Sequence, residues 1–253
     1  YLDRIRSGLA EQGIPFYVLV APAKWDVYPE KLPDWAQSIR GSGPLDQLLA
    51  RYPDLPIIDV REPLREAKKD HDVYAAVNPH WTNYGGFVAW DAVATCLRSA
   101  SPELGDLGSP AITGVTTEAD RNEFSDFGIA DPAPDWTVPT YATDLRPVRI
   151  TDAKGTRTVP GTREIDMLDL PLRTDAQGAA TASTALIARD SFGNAFNIPA
   201  DQEFTTTWQV RHNLDGAADT QPDLVKLAAQ DHPDVLILEL TQRYLAIVPA
   251  PTD

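Results

Sequence analysis

Cysteine, methionine and histidine are scarce in this 253-residue chain, with one Cys, one Met and four His. An internal disulfide is therefore excluded, and few side chains can exchange a proton near neutral pH. Their scarcity does not decide the compartment, because a secreted protein of this size can do without a disulfide. Cys96 falls inside a helical pattern over residues 87–97 and reads as a small buried apolar residue. Positive charge is also thin: 22 Lys and Arg stand against 37 Asp and Glu, a net charge of −15. The basic residues are scattered, which excludes nucleic acid as a partner, since phosphate backbones are held by concentrated cations. No apolar run reaches the roughly 20 residues that span a bilayer. G-x-G-x-x-G, Walker, H-E-x-x-H and G-x-S-x-G motifs are all missing, which removes dinucleotide, nucleotide, zinc-protease and nucleophile-elbow readings. Asp70-His71-Asp72 is too crowded for a standard ligand pattern, so neither a metal nor a cofactor is expected. The chain opens at Tyr1-Leu2-Asp3-Arg4-Ile5, in mid-helix character without an initiator Met. The natural start, with any signal or membrane anchor, is expected to have been removed.

What is present is 43% apolar residues, enough for a core, in alternating strand and helix patterns. A helical period over residues 1–12 leads to a buried strand at 16–20, a Pro-rich loop, a helix at 44–52, a strand at 57–60 and a helix at 61–70. Val73 to Val77 reads as a third strand, and a helix is predicted over about 84–99. Residues 101–180 break the rhythm with Pro, Asp, Thr and Gly; short alternating pieces at 148–151 and 156–159 predict β-hairpins in an insertion. Strands return at 184–188, 205–210 and 235–240, the last two separated by a helix near 222–230. This spacing predicts one α/β domain over 1–253, a three-layer sandwich of flavodoxin-like type with a central parallel sheet and a β-rich insertion.

Two segments carry chemistry. Asn78-Pro79-His80-Trp81-Thr82 places a histidine in a stiffened loop ahead of a helix, with an indole beside it to exclude water. Far downstream, the apolar strand at 185–188 stops at Arg189-Asp190-Ser191-Phe192-Gly193-Asn194, which puts Ser191 at the carboxyl end of a strand, where open α/β sheets place their sites. A serine hydroxyl needs an imidazole to take its proton, and His80 is the preferred base. His212, after the next strand, is the rival; His71 reads as a surface residue and His232 as a helix cap. Taken alone, Asp190-Ser191 also reads as an ordinary turn or cap pair.

These stretches resemble the SGNH-hydrolase-like domain of the alginate O-acetyltransferase family, proteins of polysaccharide O-acetylation. That family carries an Asp-x-His-Trp block and a Gly-Asp-Ser-Phe block, matched here by Asn78-Pro79-His80-Trp81 and Arg189-Asp190-Ser191-Phe192. Pro22-Ala23-Lys24 with Tyr28-Pro29-Glu30-Lys31-Leu32-Pro33, and the closing strand 233–245 with Glu239 and Arg243, resemble its first and last segments. The resemblance implies an extracytoplasmic O-acyltransferase in which Ser191 holds the acyl group, His80 is the base and Asn78 takes the place of the triad Asp. An amide there can hold the imidazole but cannot stabilise its cation by charge, so activity is reduced or a carboxylate from elsewhere assists. Arg189 in place of the family's Gly is a second departure. Oxyanion or substrate contacts are expected from the Ser191 N–H, Asp190, Gly193, Asn194, Arg211 and Asn213. Trp81 and Tyr28, with Trp25 and Tyr84, are candidates for an aromatic floor under sugar rings, or for plain packing. Glu239 and Arg243 read as a structural pair. The partners implied are a polysaccharide acceptor and a membrane-bound multi-pass acyltransferase as donor, with the protein periplasmic or at the cell surface. A carbohydrate esterase and a catalytically silent glycan-binding module remain as alternatives.

Overall fold

A computed structural model describes residues 1–119, 122–130 and 133–247. The first half of the chain holds α1 (Leu2–Ala10), β1 (Phe16–Ala21), α2 (Lys24–Val27), α3 (Asp34–Ser38), α4 (Pro44–Arg51), β2 (Ile57–Asp59), α5 (Arg61–Ala67) and α6 (Asn83–Ala100). The region from 101 to 180 contributes β3 (Ile112–Glu118), β4 (Trp136–Tyr141), β5 (Val148–Asp152), β6 (Gly155–Val159) and β7 (Leu172–Ala176). The chain then runs through β8 (Thr184–Arg189), α7 (Gly193–Glu203), β9 (Thr206–Arg211), α8 (Leu224–Asp231) and β10 (Val235–Thr241).

The sheet has eight strands in the order β2-β1-β10-β8-β9-β7-β5-β6. Its first five are parallel, and the last three are added antiparallel from the insertion. The apolar runs of β1, β8 and β10 reflect burial on both faces: Leu19, Ile187 and Ile237 enter the core under α5, α6 and α7, while Val18, Leu186 and Leu236 enter the one under α1, α4 and α8. Strands β3 and β4 form a separate antiparallel pair packed on α6.

Residues 73–77 do not form the strand that their apolar character predicts. Tyr74 makes one antiparallel bridge to Trp81, and the segment folds back as a loop. Its side chains are apolar because they face the core, with Val73 0% and Tyr74 4% exposed. Helix α6 starts immediately after, its first turn capped by Thr82 Oγ1, which accepts from Gly85 N–H at 3.1 Å. Gly86 lets α6 approach α7 closely, since a Cβ there would fall 2.6 Å from Ala195 Cβ.

Candidate active site

Ser191 lies in the turn between β8 and α7, and His80 lies in the loop that leads into α6. The two loops are joined directly, because Trp81 Nε1–H donates to the Phe192 carbonyl at 2.8 Å. Across that contact Ser191 Oγ is 2.8 Å from His80 Nε2. The imidazole rests on the Phe192 ring, with centroids 4.8 Å apart. On its other side, Nδ1 lies 3.0 Å from Asn78 Oδ1. The Asn78 oxygen also accepts the His80 backbone N–H at 2.9 Å, which fixes which end of the amide faces the ring. Nδ1 therefore carries the proton, and Nε2 is left to accept from the serine hydroxyl.

The early Pro-x-Lys segment turns out to be a clamp on this loop. Lys24 Nζ donates to the carbonyls of Ala75 and, at 2.7 Å, Asn78. Tyr74 donates its hydroxyl to the Pro22 carbonyl at 2.6 Å, and the Tyr28 hydroxyl accepts from Val73 N–H at 2.9 Å. Tyr28 is thus a buried support away from the serine, while Trp81 both ties the two loops and lines the cavity. Trp25 is 56% exposed, in a separate hollow with Tyr28, and Tyr84 meets the edge of His71.

The site opens into a cavity of about 270 Å³ lined by Asn78, His80, Trp81, Ser191, Phe192, Asn194 and Ala195 from the main fold. Glu123, Trp136, Glu164, Asp166, Met167 and Leu168 from the insertion complete its wall. Glu123 is the addition that matters most, since its Oε1 lies 3.0 Å from His80 Nδ1. None of these insertion residues is marked by a motif or a period in the sequence.

Asp190, expected at the substrate, is instead buried beneath Ser191 at 1% exposure and shapes the turn. Its Oδ1 accepts from Phe192 N–H at 2.8 Å and its Oδ2 from Thr241 N–H at 2.9 Å. Burial alone raises the Asp190 pKa, but the neighbouring His212 imidazole and hydrogen bonds from Thr241 and Phe192 together hold it below the usual carboxylate value. His212 is spent on this network: it is buried, with Nε2 3.7 Å from Asp190 Oδ2 and Nδ1 accepting from Leu214 N–H. The rival base is thereby removed. Arg211 and Asn213 also fall outside the cavity, Arg211 beside Asp215 at 3.6 Å and Asn213 donating to the Thr220 carbonyl at 2.7 Å. His232 ends α8 in a left-handed conformation, as a cap. Glu239 and Arg243 do not pair: Glu239 accepts from Asp190 N–H at 3.0 Å deep in β10, whereas Arg243 donates to the Tyr244 hydroxyl. Burial, and next the charge of Asp190, push the Glu239 carboxyl well above its ordinary pKa.

Arg189 is fully buried and points under the site. It donates to Gln209 Oε1 at 2.8 Å, the Ile165 carbonyl at 2.8 Å and Asn194 Oδ1 at 2.9 Å. Burial pulls its pKa down to about 10, opposed by the charges of Glu239, Asp201 and Asp190. Gly193, expected as an oxyanion donor, is bonded back to the Asp190 carbonyl at 3.3 Å and serves a different end. A Cβ there would lie 2.3 Å from Arg189 Cδ, so glycine makes room for the arginine. The turn's own hydrogen bonds use the N–H groups of Phe192, Gly193 and Asn194 but not that of Ser191. The Asn194 side chain has its oxygen held by Arg189 and by Met167 N–H at 3.0 Å, which leaves its NH₂ as the group to offer a ligand.

A central parallel sheet with a serine in the turn after one strand, bonded to a histidine from a loop ahead of a helix, is a Ser-His arrangement of the kind acyl-transfer chemistry uses. Residues 1–158 match the family of the SGNH hydrolase-like domain of the acetyltransferase AlgX, and the chain belongs to that family. It is 25% identical over 133 residues to the probable alginate O-acetylase AlgJ of Pseudomonas syringae pv. tomato, a match covering 52% of this chain. That match spans 34% of the relative's length. Among solved structures, Bacillus cereus PatB1 with a sulfonyl adduct superposes with a TM-score of 0.69 at 17% identity, over 96% of this chain and 86% of that one. The O-acetyltransferase domain of Pseudomonas putida AlgJ gives 0.56 at 20% identity, over 100% and 82%. At these identities the structural likeness concerns the fold.

Proposed function

We propose that the chain is an extracytoplasmic O-acyltransferase that carries an acyl group, acetyl in the first instance, on Ser191 Oγ and passes it to a polysaccharide hydroxyl. The observation that carries this reading is the 2.8 Å contact between Ser191 Oγ and a His80 Nε2 whose opposite nitrogen is held by acceptors. In the first half-reaction Ser191 gives its proton to Nε2 as Oγ attacks the acyl carbon; the donor's leaving oxygen or sulfur then departs with that proton. In the second, a sugar hydroxyl gives its proton to Nε2 and attacks the acyl carbon, and Oγ leaves and recovers the proton. The tetrahedral oxyanion of both steps is received by the Ser191 N–H and the Asn194 amide NH₂. Family membership supports acetyl as the group carried. A membrane-bound multi-pass acyltransferase is the proposed source of the acyl group, and no cofactor is needed for either step.

Incubation with p-nitrophenyl acetate followed by intact-mass measurement tests the reading. An adduct of about 42 Da on Ser191 is expected, the mass that follows from covalent acetyl transfer. It should be lost in Ser191→Ala and formed far more slowly in His80→Ala. Adding neutral oligosaccharides then separates transfer to sugar from hydrolysis by water. A parent protein that is never acylated overturns the proposal and leaves a glycan-binding module as the better account.

A further inference from the structure

We propose that Glu123, which belongs to the insertion, is a positioning residue that supplies the negative charge missing at Asn78. The two functions that a single triad carboxylate would combine are then divided. Asn78 fixes the ring's orientation and tautomer, and Glu123 stabilises the imidazolium that forms when Ser191 gives up its proton. This rests on the acyl-enzyme reading above.

The geometry is specific. Nδ1 of His80 lies 3.0 Å from Asn78 Oδ1 and 3.0 Å from Glu123 Oε1, so one N–H is shared between an amide oxygen and a carboxylate. The approach of Glu123 is not an accident of a long side chain, because its own backbone N–H donates to the Val77 carbonyl at 3.1 Å, one residue before Asn78. On the far side, Asn122 Oδ1 accepts from Phe124 N–H at 2.8 Å and shapes the turn that carries the glutamate. The Glu123 side chain is 46% exposed and that of His80 23%, so solvent screens the pair in part. A hydrogen bond to a charged group still outweighs a neutral one by enough to matter to a rate.

Glu123→Gln keeps the shape and an acceptor oxygen while removing the charge, and it leaves the Val77 backbone bond untouched. Stopped-flow acylation by p-nitrophenyl acetate is measured for the parent, Glu123→Gln, Asn78→Asp and the double variant. Glu123→Gln should slow acylation about tenfold, the worth of a charge-assisted over a neutral hydrogen bond. Asn78→Asp alone gives the reference rate for the double variant, since it brings a second carboxylate to a ring that already has one. In the Glu123→Gln background it should restore the rate to within about threefold of the parent, since the charge returns on the other acceptor. A purely structural role for Glu123 would give no such rescue. The proposal is overturned if Glu123→Gln acylates at the parent's rate, or if Asn78→Asp does not rescue it. If the parent itself shows no acylation burst, the acyl-enzyme reading fails and this proposal falls with it.

Discussion

Gly193→Ala isolates the consequence of burying an arginine where the family's serine block has a glycine. Gly193 is the first residue of α7, and its backbone is not left-handed, so the substitution meets no φ penalty. In a helix without other constraints, alanine would be favoured by about 1 kcal/mol. Here the new Cβ would lie 2.3 Å from Arg189 Cδ and 3.0 Å from Cγ, so the arginine or the helix must move. Arg189 cannot move without disturbing bonds to Gln209, Asn194 and Ile165 in a fully buried setting. Overpacking of this kind costs about 1–3 kcal/mol, and loosening a buried charged hydrogen bond adds about 1.5–3. Offset by the helix preference, the net expectation is about 3 kcal/mol of destabilisation, or roughly 6–12 °C in melting temperature for a chain of this size. Urea denaturation followed by tryptophan fluorescence measures it. In an Arg189→Gly background the same alanine should be neutral or slightly stabilising, because the clash is gone. Equal losses in both backgrounds would refute the coupling, and stabilisation in the parent would show that Arg189 is not packed against this helix at all.

Asn194→Asp keeps the oxygen that Arg189 and Met167 hold but replaces the NH₂ donor, so acylation should slow by about a hundredfold, typical of a lost oxyanion donor, with little change in stability. An unchanged rate removes Asn194 from the oxyanion site. Glu239, whose carboxyl is raised well above its ordinary pKa in the folded protein, retains a proton that the unfolded chain releases near pH 4.3. Its contribution to stability is therefore full below that pH and declines as pH rises toward the folded value. Urea midpoints at pH 5 and pH 8 should converge in Glu239→Gln relative to the parent, and parallel behaviour would contradict the burial argument. Asp190, held low, acts in the opposite sense: its contribution is present above about pH 3.9, the unfolded value, and is lost as pH falls through the folded one. Asp190→Asn should accordingly reduce stability at neutral pH and blunt the acid transition. Finally, the cavity and the groove next to it present Glu118, Glu123, Glu164 and Asp166 against Arg163. Neutral oligosaccharides should accept acyl groups faster than oligouronates at low salt, with the gap narrowing as salt is added. A preference for the oligouronate at low salt would reverse that reading of the rim.

Strands β1, β8 and β10 were legible because each is buried on both faces and so appears as an apolar run, and α6 was legible within a residue or two. Strand β7, with the sequence Leu-Arg-Thr-Asp-Ala, was not, because its pairing with β9 is polar on alternate residues and is supplied by a neighbour distant in the chain. The 73–77 segment misled for the converse reason: it is apolar because it lies over the core, and apolarity alone does not distinguish a strand from a loop packed against one.

The same division between local and distant information runs through the site. Ser191 and His80 stood out because a strand end and a stiffened loop are local features with a chemical use. Asp190 and His212 were misplaced because Asp190 is engaged by Thr241 and His212 lies against Asp190, contacts that only the folded chain creates. The two departures from the family's pattern, Asn78 and Arg189, read in isolation as losses. In the folded protein each is answered from elsewhere. Glu123 comes within 3.0 Å of the imidazole that Asn78 orients, and Gly193 vacates the space that Arg189 fills while Arg189 holds Asn194 beside the serine. A missing carboxylate in a motif is thus weak grounds for inactivity where a loop of the insertion is tied by its backbone to the residue next to that motif. The charge a base requires is set by what reaches its ring in three dimensions, and sequence position constrains that only for the nearest neighbours.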